Sequence, residues 1–484
     1  MDLKKLQKKI SRTPINLEKV TTRKHKPIII VETVTKWYVL GKILDIFLII
    51  ILWGWLRLTS MFKIMSNGFP YFLGGDSYYY AQLLNNWGLS NQLIIIINVA
   101  LYCLLCYNLF YIFHWINKNT QLSILAVGII VNFPIFLQRI HPLFIDTDII
   151  ILLFFVYLLK LLYFCDVTKI EGVFNLGFVI FFGIITMTYW KAGYIFFLII
   201  IISFLVFKLI KTKYIYSLYC IIATCLIFFI LLSKKLIIEY LAIRKYVAEY
   251  NHFDKILTLF FISVIMISFI KLDHRINKLA YWNIWILMVI FQIITLLFYR
   301  MAVFSIILSV IILVAQCISL NGSTGKGYLL FVFCFFVFIL GNMAIQNIQP
   351  EYTFCEYDII KNTDDRVILA LWDNGHFINY AKGQNLAVMK AHPEIDKIKL
   401  FLNGVYGHIG DSDKIFRQLS NNQSYYIFFS NQDNIKSFMA YSHLIDNISQ
   451  DNILSNREGK YETIKRICCQ DLEKKKSFCR YEQK

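Results

Sequence analysis

The amino-acid sequence predicts a polytopic α-helical membrane protein with a mixed α/β domain at its C-terminal end. The 484-residue chain is 58% hydrophobic and has a mean hydropathy of +0.57, whereas globular proteins are ordinarily about half apolar. Apolar runs close to the ~20 residues that a membrane-spanning helix needs recur from position 37 to position 346. Beyond Gln349-Pro350 the composition becomes mixed polar, which indicates a folded domain outside the membrane.

These runs predict about eleven spans. Their expected ranges are 37–56, 93–114, 122–138, 148–164, 174–189, 194–210, 215–232, 255–270, 279–298, 301–318 and 328–346. The tail before them is basic, since residues 1–27 contain nine Lys and Arg, and a basic segment beside the first apolar helix marks the cytoplasmic side. The loops that then face the cytoplasm are also basic, through Lys118, Lys169, Lys211, Lys213, Lys271, Arg275, Lys278 and Lys326.

An odd number of spans places the polar domain on the outer side of the membrane. The chain then divides into a cytoplasmic tail (1–36), a transmembrane domain (37–346) and an external α/β domain (347–484). The formal charge is +18, but many of the basic residues lie in the N-terminal tail and the predicted cytoplasmic loops. The charge therefore does not indicate a nucleic-acid partner.

The acidic residues of chemical interest all fall on the predicted outer side. Asp146-Thr147-Asp148 stands at the mouth of the predicted helix 148–164, and two such hard oxygen donors suit Mg²⁺ or Mn²⁺. The alternative is that they only cap the helix. Asp76, Glu239 and Glu249 lie in other external loops. Each alone is best explained as a solvated loop acid, but their common side favours a shared site.

The polar domain shows an α/β pattern. An apolar run at 366–372 predicts a short buried strand, followed by a turn at Asp373-Asn374-Gly375 and a helix over 376–381. A second strand at 425–429 precedes a helix over 434–444. Sites are expected at the carboxyl ends of such strands. Four cysteines of this domain would pair in an oxidising compartment: Cys355, Cys468, Cys469 and Cys479.

These pieces, in this order, resemble the bacterial single-subunit oligosaccharyltransferase, the catalytic-subunit family of protein N-glycosylation. That family has an Asp in a long first external loop, an Asp-X-Asp before the fourth helix, an external-loop Glu, an Arg at the start of a late helix, and a Trp-Trp-Asp-Tyr-Gly motif. The matching positions are Asp76, Asp146-Thr147-Asp148, Glu249, Arg300 and Leu371-Trp372-Asp373-Asn374-Gly375, with Trp190-Lys191-Ala192-Gly193-Tyr194 similar to an aromatic loop of the family. Leu371 and Asn374 depart from the tryptophan motif.

The resemblance implies a GT-C-type membrane glycosyltransferase of the bacterial inner membrane, acting as a single subunit. It would transfer an oligosaccharide en bloc from undecaprenyl diphosphate to the Asn amide of Asn-X-Ser/Thr sequons, with Mn²⁺ or Mg²⁺ as cofactor. The implied catalytic and metal-binding residues are Asp76, Asp146, Asp148 and Glu249. The implied sequon-binding residues are Trp372, Asp373, Arg300 and Ile435, and donor binding would involve Arg300 and Tyr194.

Other interpretations of these residues remain open at this point. Trp372 is a candidate core residue, Asp373 can make an Asx-type turn, Arg300 can extend to lipid headgroups, and Glu239 competes with Glu249 as a ligand. His141 is a possible substrate contact. A GT-C enzyme with a lipid, glycan or non-sequon protein acceptor is the main alternative function. A transporter would instead have broken helices and charges at mid-membrane.

The topology can be tested with reporter fusions. We expect alkaline phosphatase joined after Lys484 to be active, because the basic loops place the C-terminal domain in the periplasm. The control is a fusion after Lys278, in a predicted cytoplasmic loop, which we expect to be inactive. An inactive fusion at Lys484 would mean that the number of spans is even.

Overall fold

The described residues of the computed structural model belong to both the apolar and the polar parts of the chain. They are 57, 61, 72–164, 170–189, 255–269, 276, 278–297, 301–319, 336–343, 352, 354–370, 372–382, 395–406, 409–430, 464–471 and 476–483.

Helices form nearly all of the described apolar part. In chain order they are α1 (Gly75–Asn86), α2 (Asn91–Asn117), α3 (Thr120–Val131), α4 (Pro134–Arg139), α5 (Asp148–Leu159) with a π-helical turn at Lys160–Phe164, α6 (Ile170–Tyr189), α7 (Lys255–Ser268), α8 (Lys278–Leu297) and α9 (Ala302–Ser319). A further helical segment occupies 336–343.

Helix α2 is the longest of these helices, and its ends are set by local sequence. The Ser90 hydroxyl caps its first turn by accepting a hydrogen bond from the Leu93 amide. At its other end Lys118 adopts a left-handed conformation that ends the helix. Its 27 residues give a length of about 40 Å, more than the ~30 Å apolar thickness of a bilayer.

The number of membrane spans stays a prediction. Among the described residues, α2 alone is both long and apolar enough to cross a bilayer by length and composition. Shorter apolar helices occur within α3, α6, α7, α8 and α9. The predicted spans at 37–56, 194–210 and 215–232, and the predicted helix at 434–444, lie outside the described residues.

The predicted span at 122–138 is wrong as a continuous helix. The structure has two helices there, α3 and α4, with Phe133 in an extended conformation between them. Pro134 is the first residue of α4. Proline has no amide hydrogen and disfavours helical backbone at the residue before it, so it begins a helix but does not continue one.

The C-terminal part combines a four-stranded sheet with helices. Its elements are α10 (Phe354–Lys361), β1 (Val367–Leu369), α11 (Trp372–Lys382), α12 (Ile395–Tyr406), α13 (Ile409–Leu419), β2 (Tyr425–Ser430), β3 (Ile464–Asp471) and β4 (Lys476–Gln483). The strand order is β1-β2-β4-β3. β1 and β2 are parallel, whereas β4 is antiparallel to both β2 and β3.

Two details of the predicted α/β pattern need correction. The first strand spans Val367–Leu369 rather than 366–372, and helix α11 already begins at Trp372. The predicted turn at Asp373-Asn374-Gly375 is therefore the first turn of a helix. Short polar side chains such as Asp and Asn are favoured at helix starts as well as in turns, so this sequence fits both structures. The second predicted strand is confirmed by β2.

Helical segment 336–343 lies close against the end of α3. A β-carbon on Gly341 would lie 2.5 Å from the Asn132 carbonyl oxygen, so glycine is required at this contact.

We expect Gly341→Ala to lower the free energy of unfolding by about 1–3 kcal/mol, because the added methyl group overpacks a backbone contact. Gly177→Ala in α6 is the matched control. Its β-carbon would meet no atom within 4 Å, and alanine favours a helix by about 1 kcal/mol over glycine. Unfolding in detergent would measure both, and a Gly341→Ala protein as stable as the control would contradict the packing.

Candidate active site

The segment that leads into α1 and the segment before α5 are joined by hydrogen bonds. The Leu73 amide donates to the Leu143 carbonyl at 2.9 Å. The Ile145 amide donates to the Ser77 hydroxyl at 3.0 Å, and that hydroxyl donates to the Leu73 carbonyl at 2.5 Å. Asp76 precedes Ser77 in the chain and Asp146 follows Ile145. The structure therefore brings the two acid-bearing segments together.

Asp76 lies in the first turn of α1 and is exposed. A carboxylate is favourable there, because the amino end of a helix carries partial positive charge. The preceding residue, Gly74, has φ +81°, and a β-carbon there would lie 2.7 Å from the Phe144 ring. This glycine allows the chain to enter α1 in close contact with the Asp146 segment.

Asp146 and Asp148 are both buried, with 8% and 6% of their surfaces exposed. Asp146 Oδ1 accepts hydrogen bonds from the Thr147 amide at 2.5 Å and the Thr147 hydroxyl at 3.1 Å. Asp148 Oδ2 lies 3.7 Å from Arg139 Nη1, an ion pair at the end of α4. Burying carboxylates is costly unless they are paired, so this arrangement constrains where the two acids lie.

Simple capping does not explain the acid pair. The residue that caps α5 is Thr147, and its side chain accepts no capping hydrogen bond. Asp146 Oδ1 accepts from the amide and hydroxyl of the adjacent Thr147, whereas a capping side chain accepts from an amide two or three residues on. Asp148 does lie in the first turn, where the helix dipole favours it. Capping therefore accounts for part of the role of one acid.

His141, the possible substrate contact, has a structural role in the described part of the chain. The residue is fully buried, and its Nδ1 accepts a hydrogen bond from the Leu143 amide at 3.1 Å. Burial, with a smaller contribution from the nearby Arg57 guanidinium, lowers the pKa of His141 to about 3. This imidazole is therefore neutral at physiological pH and supports the fold of the segment.

Helix α1 packs against α11, which begins with the tryptophan motif. The Tyr78 ring lies edge-on to Phe377, with ring centroids 4.9 Å apart, and Tyr79 contacts His376 at 4.9 Å. The Gln82 amide donates to the Asn379 carbonyl at 3.3 Å. The acid-bearing helix and the helix that carries Trp372 and Asp373 are thus direct neighbours.

Asn374 has a partner from outside α11. Its side chain is buried and accepts a hydrogen bond from the Tyr352 hydroxyl at 2.8 Å. The Tyr352 ring stacks on Phe377 with centroids 3.9 Å apart. The first turn of α11 is therefore fixed to an aromatic cluster beneath it.

Several predicted site residues lie outside the described residues. These are Glu249 and its competitor Glu239, Arg300, Tyr194 and Ile435. Trp372 and Asp373 are described only as the first two residues of α11, without their side chains. Two supporting residues are not evident from the sequence. Ser77 has its partner Ile145 far away in the chain, and Arg139 pairs with Asp148, which the sequence predicts as a metal ligand.

The described acids fit part of a site for a hard divalent cation. Carboxylate oxygens are the ligands that Mg²⁺ and Mn²⁺ prefer, and Asp146 and Asp148 bring two carboxylates to one segment. Across the described residues, no three His, Cys, Asp or Glu side chains gather as a metal-binding group. A complete site would need ligands from elsewhere, and the predicted ligand Glu249 lies outside the described part.

Comparison with solved structures shows that the fold is similar to that of oligosaccharyltransferases. One neighbour is the Archaeoglobus fulgidus oligosaccharyltransferase tethered by a disulfide bond to an acceptor peptide containing the NVT sequon. It matches with a TM-score of 0.50 and 12% identity, over 87% of this chain and 72% of that chain. The same archaeal enzyme in complex with Zn and sulfate gives 0.48 and 12%, over 81% and 63%. The chain thus spans less than two thirds of that second structure.

Neither a protein-family model nor a curated protein matches this chain by sequence. At 12% identity the structural likeness establishes the fold. The fold expected from the sequence resemblance is therefore confirmed at the level of oligosaccharyltransferase architecture.

The bond from Ile145 to Ser77 can be tested by mutation. We expect Ser77→Ala to lower the free energy of unfolding by about 1–3 kcal/mol, because the buried Ile145 amide loses its partner. Ser123→Ala is the control. Its buried hydroxyl donates to the Asn119 carbonyl, within its own helical turn, so we expect a loss of about 1 kcal/mol or less. Equal losses in the two variants would contradict a special role for Ser77.

Proposed function

We propose that this chain transfers an oligosaccharide from polyprenyl diphosphate to the Asn amide of Asn-X-Ser/Thr sequons. One observation carries the proposal: α1, which bears Asp76 and is bonded to the Asp146 segment, packs directly on α11, whose first turn holds Trp372 and Asp373. Predicted groups for the chemistry and for the acceptor therefore lie on neighbouring elements. The fold, shared with an oligosaccharyltransferase, supports the same conclusion.

The acids would hold Mn²⁺ or Mg²⁺ in this proposal. Asp76, Asp146, Asp148 and Glu249 would supply oxygen ligands, and the metal would neutralise the diphosphate leaving group as a Lewis acid. The same carboxylates would accept hydrogen bonds from the acceptor amide. The Arg139 ion pair would orient the carboxylate of Asp148, as residues outside a metal's ligand set commonly do.

The acceptor would bind at the start of α11. Trp372 and Asp373 would contact the Ser/Thr hydroxyl of the sequon, with Ile435 and Arg300 as further acceptor contacts. Arg300 and Tyr194 would contact the lipid-linked donor, since a guanidinium suits a diphosphate. The anchoring of α11 through Tyr352 and Asn374 supports this assignment, because hydroxyl recognition requires fixed partners.

We place the protein in the bacterial inner membrane with its C-terminal domain in the periplasm. Helices α6 and α7 expose large apolar side chains, including Phe174 at 66% and Met266 at 70%. Such surfaces are typical of protein or membrane contacts. Cys355 is disulfide-bonded, and disulfides persist in oxidising compartments such as the periplasm.

Metal dependence is tested through Asp146. We expect chelation to abolish transfer to a fluorescent sequon peptide, Mn²⁺ to restore it, and Asp146→Asn to lose roughly 100-fold or more in kcat, since the metal supplies several kcal/mol. The control is Asp358→Asn, at an exposed acid of α10. Full activity of Asp146→Asn in the presence of a chelator would refute the assignment.

Acceptor recognition is tested through Asp373. We expect Asp373→Ala to raise the KM of an Asn-X-Thr peptide by roughly tenfold or more, with the KM of the lipid donor unchanged. Asp396→Ala, at an exposed acid of α12, should change neither value. An equal loss for both substrates would indicate a folding defect instead of sequon recognition.

A further inference from the structure

Arg57 is a fully buried arginine just beyond the first predicted span, and the predicted function gives it no role. Its side chain has no exposed surface. Nη2 donates to the Val131 carbonyl at 2.6 Å and Nη1 donates to the Ile140 carbonyl at 2.9 Å. Val131 is the last residue of α3, and Ile140 directly follows α4. One guanidinium therefore joins the ends of two helices.

The surroundings of Arg57 suit a buried guanidinium. Burying a charge is costly unless it is paired. Carbonyl groups at helix carboxyl ends have no partner within the helix and carry partial negative charge, so they are favourable acceptors for a cation. The Tyr102 ring of α2 covers the guanidinium, with its centroid 4.3 Å from Cζ. The planar fork of arginine reaches two separate acceptors, which the single ammonium of lysine does not reproduce.

The residue that Arg57 holds is the start of the segment leading to the acid pair. After Ile140, the Asn98 amide nitrogen of α2 lies 3.4, 3.0 and 3.2 Å from the carbonyl oxygens of His141, Pro142 and Phe144. Ile145 is then held by Ser77, and Asp146 follows. The segment is thus bound from Ile140 to Ile145 by Arg57, by Asn98 of α2 and by Ser77 of α1, which lie far apart in the chain.

We propose that Arg57 is a positioning residue for the candidate active site. By fixing the ends of α3 and α4, it sets the path of the segment 140–148 and hence the placement of Asp146 and Asp148. In this role it acts through the backbone carbonyls of Val131 and Ile140. The consequence for metal binding rests on the proposed function, whereas the consequence for the segment does not.

Hydrogen–deuterium exchange of the purified full chain tests the structural step. We expect Arg57→Lys, which keeps the charge but loses the fork, to exchange roughly tenfold or more faster over 140–149, with α8 unchanged. Lys160→Met is the matched control. It removes a second buried cation, whose partners are Asn108 and the Tyr111 ring, away from this segment. Unchanged exchange over 140–149, or faster exchange spread evenly over all helices, would overturn the proposal.

Binding of Mn²⁺ alone, measured by electron paramagnetic resonance, tests the functional step. We expect Arg57→Lys to weaken Mn²⁺ binding roughly tenfold or more and to raise the Mn²⁺ concentration needed for transfer, with the peptide KM unchanged. Lys160→Met should bind Mn²⁺ as the wild type does. Faster exchange in Arg57→Lys with wild-type Mn²⁺ affinity would overturn the positioning role. If the wild type itself neither binds Mn²⁺ nor modifies the peptide, the proposed function fails. The hydrogen–deuterium exchange result then decides by itself whether Arg57 holds the segment 140–148.

A second variant covers the case in which Arg57→Lys does not fold. Tyr102→Leu removes the aromatic face that covers the guanidinium and leaves Arg57 in place. We expect the same local increase in exchange over 140–149, smaller in size, with α8 unchanged. Wild-type exchange over 140–149 in Tyr102→Leu would count against the proposal.

Discussion

The hydrogen bonds between the start of α1 and the segment before α5 determine where the described acids lie. The Leu73 amide donates to a carbonyl of the segment before α5, and the Ile145 amide of that segment donates to the Ser77 hydroxyl. The Ser77 hydroxyl in turn donates to the Leu73 carbonyl. Buried backbone groups need partners, so the two segments can separate only at considerable cost. Asp76 and Asp146 each adjoin a residue of this connection. Two carboxylates repel each other, so their own charges cannot bring them together. The hydrogen bonds between the two segments do so instead.

The second constraint is the aromatic packing between α1 and α11. Tyr78 contacts both Tyr352 and Phe377, with ring centroids 5.5 and 4.9 Å apart. Such edge-on pairs add to the stability gained from burial and favour particular ring geometries. The Gln82 side-chain amide of α1 also donates to the Asn379 carbonyl of α11 at 3.3 Å, and Asn91 Nδ2 at the start of α2 donates to the Tyr380 hydroxyl at 2.8 Å. Helix α11 of the C-terminal part is thus attached to the acid-bearing helix α1 by direct contacts between side chains.

Local structure was predictable from the sequence where one signal dominated. The sequence predicts α2 from its long apolar run and α5 from the apolar run after Asp148. Apolar length and a polar boundary are local properties, so both are visible in the sequence. β3 and β4 were missed, since segments rich in Lys, Arg, Glu and Gln resemble exposed tails and are not enriched in typical strand residues. Asp373-Asn374-Gly375 was assigned to a turn because its residues suit a turn and a helix start alike.

The candidate site was predictable only in part, for a different physical reason. The sequence predicts that the acids share a side of the membrane from the basic loops, and this common side stays a prediction. It gave no sign that Arg57, Asn98 and Ser77 hold the segment between Ile140 and Ile145. Each of these side chains has a partner at least 43 residues away, and such pairs are not visible in a local pattern. Supporting residues of this kind become apparent only once the fold is described.

Asn374 shows how a departure from a motif can be understood from its contacts. The motif of the family that the sequence resembles has a tyrosine at this position, from which Asn374 departs. In the structure Asn374 is buried and receives the hydroxyl of Tyr352, whose ring stacks on Phe377 of the same helix. A phenol therefore still contacts the first turn of α11, supplied by a different part of the chain. Asn374 thus has a satisfied polar contact at the start of the helix, as buried amide oxygens generally do.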